Sequence, residues 1–248
     1  MDQNLKSLQK LIIPALLSFL GLSIVLVQIY VDPVLDRDSF KYLKLMEEWN
    51  ETGTFPYDMQ FIVPPVYFLC VKLIQCSFIP YIKAGLLISL ISYYTASWFI
   101  FFLAKELRFS YRMSIVAMSL FLFHPMTMRI SRGFIRDSFF LCLEIASLYV
   151  FMRAIKCRRN LSYSLLGCLC GAAILMRFEG FVFSICITCM IGVGLLIYKK
   201  ITKWNTACYL LSFGVCITIV SFAVFGNCNN IFDYFKSYFH YIFNYAHC

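Results

Sequence analysis

A pair of carboxylates early in the chain is the first candidate for chemistry. Asp36 and Asp38 precede a predicted helix, 39–49, inside an acidic segment, 31–60, that follows the first long apolar run. A carboxylate held just outside a membrane can take a proton from an incoming hydroxyl and so act as a general base. The structural alternative is that Asp38 caps the helix by accepting hydrogen bonds from its first backbone N–H groups.

A group of arginines forms the second candidate. Arg129, Arg132 and Arg136 are spaced i, i+3 and i+7, which places them on one face if the segment is helical, and Asp137 follows directly. The planar guanidinium group suits the recognition of phosphate. The alternative is that these side chains snorkel to lipid headgroups.

Other polar residues lie at the same predicted surface or just below it. Arg177 and Glu179 bracket a turn, where a local ion pair would be a sufficient account, and His124 precedes a proline, where a structural hydrogen bond is the simplest explanation. Glu144 lies within an apolar run seven residues beyond Asp137, on nearly the same helical face and about 10 Å deeper. An acid within a span is a functional candidate, although a protonated side chain bonded to a neighbouring helix explains it equally well.

Membrane helices must position these groups. With 61% hydrophobic and 14% charged residues, the chain is unlike soluble globular domains, in which charged residues make up about a quarter. The apolar runs predict an all-α integral membrane fold of about seven transmembrane helices, with juxtamembrane helices in the first exported loop. The predicted spans are 11–30, 84–104, 113–123, 138–151, 163–176, 181–198 and 206–225.

An eighth apolar segment, 61–79, is predicted not to cross. It opens with two prolines, carries Lys72 in its middle and is barely long enough to span a bilayer. If it is a re-entrant or interfacial helix, the cytoplasmic segments hold twelve Lys and Arg against two acids, with the N-terminus on that side. The net charge of +9 then reflects topology rather than binding to nucleic acid. With Glu144 placed within a span, the other candidate residues are predicted to face the exported side, as is an aromatic tail, 226–248.

The sequence has no clear metal signature. Its twelve cysteines are scattered along apolar runs without histidines at zinc-site spacing, as expected of small buried hydrophobic residues. Neither Asp38 nor Asp137 has a partner acid at a convincing metal spacing. A divalent cation is therefore compatible with these residues but not indicated by them.

Carboxylates, arginines and apolar helices together suit the transfer of a group from a phosphate-linked lipid carrier. The arginines would neutralise charge on the departing phosphate. The carboxylate would deprotonate an acceptor that attacks from the opposite side, as in inverting glycosyl transfer.

Three segments of the chain resemble the GT-C glycosyltransferases, in the branch of the protein O-mannosyltransferases and lipid A aminoarabinose transferases (glycosyltransferase family 39-like). Residues 38–43, 53–56 and 64–67, which read DSFKYL, GTFP and PPVY, resemble its first exported loop. HP at 124–125, SRG at 131–133 and RDS at 136–138 resemble its second exported loop. GAAILMRFEG at 171–180 resembles its glycine-rich span ending in Arg and Glu.

The resemblance implies a multi-pass membrane enzyme that moves a sugar from a polyprenyl-phosphate donor to a lipid, glycan or protein acceptor. The active site would face away from the cytoplasm, at the bacterial inner membrane or the endoplasmic reticulum membrane. Asp38 matches the family's catalytic carboxylate and Asp137 its second-loop acid, and the resemblance implies that both are catalytic residues. The predicted substrate-binding residues are Asp36, Arg129, Arg132, Arg136, Arg177, Glu179 and His124. We expect one module over residues 1–248 which, being shorter than usual for the family, is either a fragment or a minimal form.

Two alternatives belong to other functional classes. A transporter or flippase for a phosphate-bearing lipid would use the same arginines and Glu144, but would bind near the midplane through broken helices. The sequence shows no paired inverted halves that would favour it. An inactive truncated module that binds a membrane partner is the other alternative, supported by the short length.

Overall fold

The computed structural model describes residues 2–32, 37–53, 55, 65–75, 79–196, 201–226 and 236. Its regular elements are α-helices, with no strand among these residues, which confirms the predicted all-α fold. The helices are α1 (Asp2–Val31), α2 (Arg37–Thr52), α3 (Pro65–Gln75), α4 (Tyr81–Glu106), α5 (Tyr111–Leu122), α6 (Pro125–Ser131), α7 (Asp137–Cys157), α8 (Asn160–Ile174), α9 (Phe178–Leu196) and α10 (Lys203–Phe225).

The described helices provide five or six candidate membrane spans. Five are long and apolar enough to cross on their own: Leu11–Val31, Tyr81–Glu106, Asp137–Cys157, Glu179–Leu196 and Lys203–Phe225. A sixth arises if α5 and α6, which meet at a bend of 57°, form one broken span. The remaining predicted span corresponds to α8, whose 15 residues rise about 22 Å, less than the hydrocarbon thickness. The multi-pass character is confirmed, and the count of seven stays a prediction.

Helices α4 and α7 run in the same direction and are joined at both ends. Near their starts, Ser138 Oγ donates a hydrogen bond of 2.9 Å to Ser89 O. Near their other ends, Lys156 Nζ lies 2.6 Å from Glu106 Oε2. We call the first end, with residues 132–137 and Arg177, the loop end. The opposite end is called the basic end because it carries a group of eight cations, Lys105, Arg108, Arg112, Arg153, Lys156, Arg158, Arg159 and Lys203.

Two glycines bring the short helix α8 against α10. A Cβ atom built on Gly167 would lie 2.3 Å from Tyr209 O, and one on Gly171 would lie 3.1 Å from Phe213 O. The four-residue spacing puts both glycines on one face, the small-residue pattern that lets membrane helices approach closely. Because the contacts advance in the same direction on both helices, α8 and α10 are parallel.

The predicted helix at 39–49 is confirmed within α2. Its apolar face buries Tyr42, Met46 and Trp49, and its opposite face leaves acidic residues exposed. The ammonium group of Lys72 on α3 lies 3.9 Å from the ring centroid of Trp49, a cation–π contact that holds the two helices together. The re-entrant or interfacial assignment of 61–79 stays a prediction, and most of the tail 226–248 lies outside the described residues.

Candidate active site

The loop between α6 and α7, residues 132–136, is fixed by serine hydroxyls. Ser89 Oγ shares its single hydrogen between Gly133 O, at 2.9 Å, and Ile135 O, at 3.3 Å. Ser39 Oγ, from the start of α2, donates to Phe134 O at 3.2 Å. Three consecutive carbonyl groups of a buried segment are thus hydrogen-bonded, so the loop has a defined conformation and α2 is attached to it.

Phe134 anchors the same loop through packing. Its side chain is fully buried and occupies the space beside Gly85 on α4, where an added Cβ atom would lie 1.8 Å from the ring. The ring of Tyr42 packs edge-on against Phe134, with centroids 6.1 Å apart. Position 85 therefore has to be glycine for the loop to sit as close to α4 as it does.

The prediction that three arginines share one helical face is wrong. Arg129 is exposed on α6, Arg132 ends that helix, and Arg136 immediately precedes α7. The helix is interrupted because the carbonyls of Gly133 and the two residues after it bond to serine hydroxyls instead of continuing the helical pattern. The arginines are therefore distributed around the loop.

Arg177 joins two carboxylates from different parts of the chain. Its Nη1 donates to Asp137 Oδ1 at 2.5 Å, while its Nε and Nη2 donate to the two carboxylate oxygens of Glu179 at 3.1 and 2.9 Å. The guanidinium carbon also lies 5.7 Å from the ring centroid of Phe140. We call Arg177, Asp137 and Glu179 the Arg177 cluster. It contains the local ion pair expected from sequence and adds Asp137.

Electrostatics keep Arg177 charged. Burial by itself would lower the pKa of the Arg177 guanidinium, but the hydrogen bonds and charges of Glu179 and Asp137 outweigh burial and raise the pKa. With one cation and two anions, the cluster has a formal charge of −1. A guanidinium group has five N–H hydrogens, and three of them are used in the bonds to carboxylate oxygens, so two others are left.

Asp38 lies within the first turn of α2 rather than at its N-cap, since the helix begins at Arg37. A negative charge there is favourable because it faces the positive end of the helix dipole. Its side chain is 60% exposed, and its Oδ1 lies 3.7 Å from Lys41 Nζ. The carboxylate is therefore accessible and only loosely paired.

Tyr42, one turn after Asp38, links α2 to the loop, because its ring packs against that of Phe134. Burial raises the pKa of this phenol to about 12, and the nearby charges of Arg136, Asp38, Asp137 and Arg177 act on it with opposing signs. A buried, neutral hydroxyl thus lies within the electrostatic reach of groups from α2, the loop and the turn before α9. Sequence reasoning missed Tyr42, although its position four residues after Asp38 puts both on one helical face.

Three other predicted residues have distinct positions. His124 caps α6: its Nδ1 accepts a hydrogen bond from Met126 N at 3.3 Å, which places the imidazole proton on Nε2. Arg132 Nε is buried and has no hydrogen-bond partner among the described residues. Glu144 is half-buried on α7 and interacts electrostatically with Arg177 and Glu179. Asp36 lies outside the described residues.

Within the described ranges, no three His, Cys, Asp or Glu side chains are grouped so that they could hold an ion. The chemistry available at the loop end is that of the exposed Asp38 carboxylate, the carboxylates of Asp137 and Glu179 paired with Arg177, further guanidinium groups and a buried phenol.

Comparison with known proteins identifies the family. Residues 63–226 match the family described as dolichyl-phosphate-mannose-protein mannosyltransferase. No curated protein matches the chain. The family match covers well over half of the sequence, and the chain belongs to this family. It is a multi-pass membrane glycosyltransferase of the GT-C type.

Proposed function

We propose that this member of the dolichyl-phosphate-mannose-protein mannosyltransferase family transfers a sugar from a polyprenyl-phosphate donor to an acceptor hydroxyl outside the cytoplasm. The observation that carries the proposal is the attachment of α2, which holds Asp38, to the loop that holds Arg136 and leads into Asp137: Ser39 Oγ donates to Phe134 O at 3.2 Å, and the rings of Tyr42 and Phe134 pack together. Arg177 joins the same group through its bond to Asp137. Chemically, this group combines a base with cations for a phosphate, beside helices that can hold a lipid chain.

Asp38 is the proposed general base. Its exposed carboxylate takes the proton of the acceptor hydroxyl as the acceptor oxygen bonds to the anomeric carbon of the sugar. The bond from that carbon to the phosphate oxygen breaks, and its electron pair leaves on the polyprenyl phosphate. Attack on the face opposite the leaving group inverts the anomeric configuration. An acceptor amine would lose its proton to Asp38 in the same way.

The donor phosphate is assigned to Arg132 and Arg136. These two arginines flank a loop whose conformation is fixed by three carbonyl hydrogen bonds. Arg132 also has a buried Nε hydrogen with no partner among the described residues, as expected of a donor that awaits an anion. A rigid loop that presents cations can stabilise charge on the leaving group without reorganising during the reaction.

Arg177 is assigned a different main role from the one expected from sequence. Three of its N–H groups already bind carboxylate oxygens of Asp137 and Glu179. The cluster therefore holds the start of α7, and with it Arg136, in place. Asp137 positions Arg177 in this scheme rather than taking a proton. Arg129, His124 and Glu144 remain candidates for acceptor or sugar contacts.

The transporter alternative has less support. Such a mechanism usually pairs two broken helices in related halves of the protein. Across the described part of the chain there is one bent helix pair, α5 and α6, without a second pair to mirror it. The polar groups also gather at one end of the bundle instead of at mid-depth.

A donor panel tests the proposal. Purified protein in liposomes is given radiolabelled polyprenyl-phosphate sugars, and label transferred to lipid, glycan or protein is counted for wild type and Asp38→Asn. Glu48→Gln, an exposed carboxylate on the same helix, is the matched control. Transfer that is lost only in Asp38→Asn supports the proposal. Equal transfer by both variants would remove Asp38 as the base, and binding of a donor without turnover would favour the transporter.

A further inference from the structure

An apolar cavity of about 410 Å³ lies toward the basic end of the bundle, between α7, α9 and the start of α10. Phe151 and Ile155 of α7, Val193 and Gly194 of α9, and Ile201 are among its lining residues. Among the described residues, its lining includes no charged side chain and is apolar apart from the thiol of Cys189, so its interior suits a hydrocarbon chain.

The cavity is far from the candidate active site. Ile155 lies 18 residues after Asp137 on the same helix, a rise of about 27 Å. That distance is close to the thickness of the hydrocarbon core. A lipid whose phosphate binds at the loop end would therefore have its headgroup on the other side of the membrane.

Exposed cations follow the cavity lining along the chain. Arg158 and Arg159 come within four residues of Ile155, and Lys203 comes two residues after Ile201. None of the three has an ion pair among the described residues, in contrast to the nearby Lys156, which pairs with Glu106. Cations just beyond an apolar cavity are complementary to an anionic headgroup above an acyl chain.

Trp204 supports this depth assignment. It directly follows Lys203 and its side chain is 66% exposed. Exposed tryptophan next to lysine is typical of the level at which lipid headgroups meet the hydrocarbon. The part of the cavity lined by Ile155 and Ile201 thus lies near the depth at which a phospholipid carries its phosphate.

We propose that this cavity is a binding site for an anionic phospholipid, with one acyl chain among α7, α9 and Ile201 and the headgroup phosphate at Arg159 and Lys203. The site is separate from the transfer reaction and does not rest on the proposed function. The bound lipid would fill a gap that the described helices leave between α7 and α9 and would stabilise their packing.

Retention of defined lipids tests the site. The protein is reconstituted in nanodiscs of phosphatidylcholine mixed with phosphatidylglycerol, extracted into detergent, and weighed with its bound lipids by native mass spectrometry. We expect preferential retention of phosphatidylglycerol. Arg159→Gln with Lys203→Gln should weaken that preference about fivefold for each cation removed. Lys83→Gln, an exposed lysine at the start of α4, should leave it unchanged.

A second variant separates the cavity from the cations. Val193→Trp fills the cavity from α9 and should abolish retention of phosphatidylglycerol by excluding the acyl chain. If this variant does not fold, the paired glutamine variant still decides, because its two side chains are exposed. Equal retention of both lipids by wild type, or unchanged preference in the glutamine variant, would overturn the proposal. Recovery of a polyprenyl lipid in place of phosphatidylglycerol would also overturn it.

Discussion

Arg177 and Asp137 lie 40 residues apart in sequence, yet Nη1 of the arginine is 2.5 Å from Oδ1 of the aspartate. This bond ties the turn between α8 and α9 to the first residue of α7. Glu179 binds the other side of the same guanidinium group, so the contact is held from two directions. Any displacement of α8 or α9 at the loop end is therefore transmitted to α7 and to Arg136, which precedes it.

The first prediction concerns the proposed base. Asp38→Asn should lower transfer by at least about a hundredfold, because the amide cannot take the acceptor's proton. Membrane abundance and thermal stability should stay near wild type, since Asp38 is exposed and its pairing with Lys41 is long. The measurement is initial transfer rate per folded protein. A variant that loses activity only because less of it folds would argue against a catalytic role.

The second prediction concerns the Arg177 cluster. Arg177→Lys keeps the charge but loses the planar group that binds two carboxylates at once, so stability should fall by roughly 1–3 kcal/mol. Thermal unfolding in detergent measures the change. Arg129→Lys, at an exposed position without an ion pair among the described residues, is the matched control and should unfold like wild type. Identical melting of both variants would mean that the cluster adds nothing to stability.

The third prediction concerns the serine that holds the loop. Ser89→Ala removes the hydroxyl that bonds Gly133 O and Ile135 O, which should cost about 1–3 kcal/mol and slow transfer by loosening Arg136. Ser97→Ala is a matched control on the same helix, since that buried hydroxyl bonds only to the carbonyl of Tyr94. Melting temperature and kcat are compared for the two variants. Equal effects on kcat would show that the loop does not depend on Ser89.

The fourth prediction concerns the close approach of α8 and α10. Gly167→Ala places a methyl carbon 2.3 Å from Tyr209 O, which is too close for van der Waals contact. The helices must therefore separate, at a cost of roughly 1–3 kcal/mol. Gly214→Ala, on α10, meets nothing within 4 Å and should be neutral or slightly stabilising. Unfolding of the two variants in the same detergent gives the comparison. A stable Gly167→Ala protein would show that the two helices can move apart freely.

The fifth prediction uses the buried phenol. The pKa of Tyr42 is about 12 in the folded protein and 10.0 as its ordinary value. Between these values the unfolded chain loses the proton while the folded protein keeps it, so stability falls as pH rises from 10 to 12. In Tyr42→Phe, the decrease in the free energy of unfolding between pH 10 and 12 should be smaller by roughly 2–3 kcal/mol. Stability measured from pH 9 to 12 should therefore fall more steeply for wild type, and parallel curves would contradict the assignment.

Features with a local or compositional origin could be predicted from the sequence. Apolar runs predict helices, and the helix at 39–49 follows from its pattern of buried Tyr42, Met46 and Trp49. The Arg177–Glu179 pair could be predicted because the partners are two positions apart in the sequence. A structural hydrogen bond at His124 was also within reach, because a short helix begins at the proline that follows.

Features that depend on packing could not be predicted in the same way. The partnership of Asp137 with Arg177 needs α7, α8 and α9 in place. Arg129, Arg132 and Arg136 do not share one helical face. The reason is that serines from other helices bind the backbone carbonyls that lie between Arg132 and Arg136. A serine hydroxyl carries no sequence signal for which distant carbonyl it will meet, so both Ser89 and Ser39 were overlooked.

The short length of α8 has a consequence for how the protein is made. With 15 residues, it is too short to partition into the bilayer as an independent segment. The glycine face of α8 can pack only when α10 has been synthesised. Helix α10 ends at Phe225, which is 51 residues after the end of α8 at Ile174. At ordinary translation rates the ribosome needs about 3 to 10 s for that stretch. During this interval α8 must be shielded from lipid by the insertion machinery or by contact with α7. A ribosome that pauses between α9 and α10 should therefore leave the nascent protein accessible to quality-control degradation.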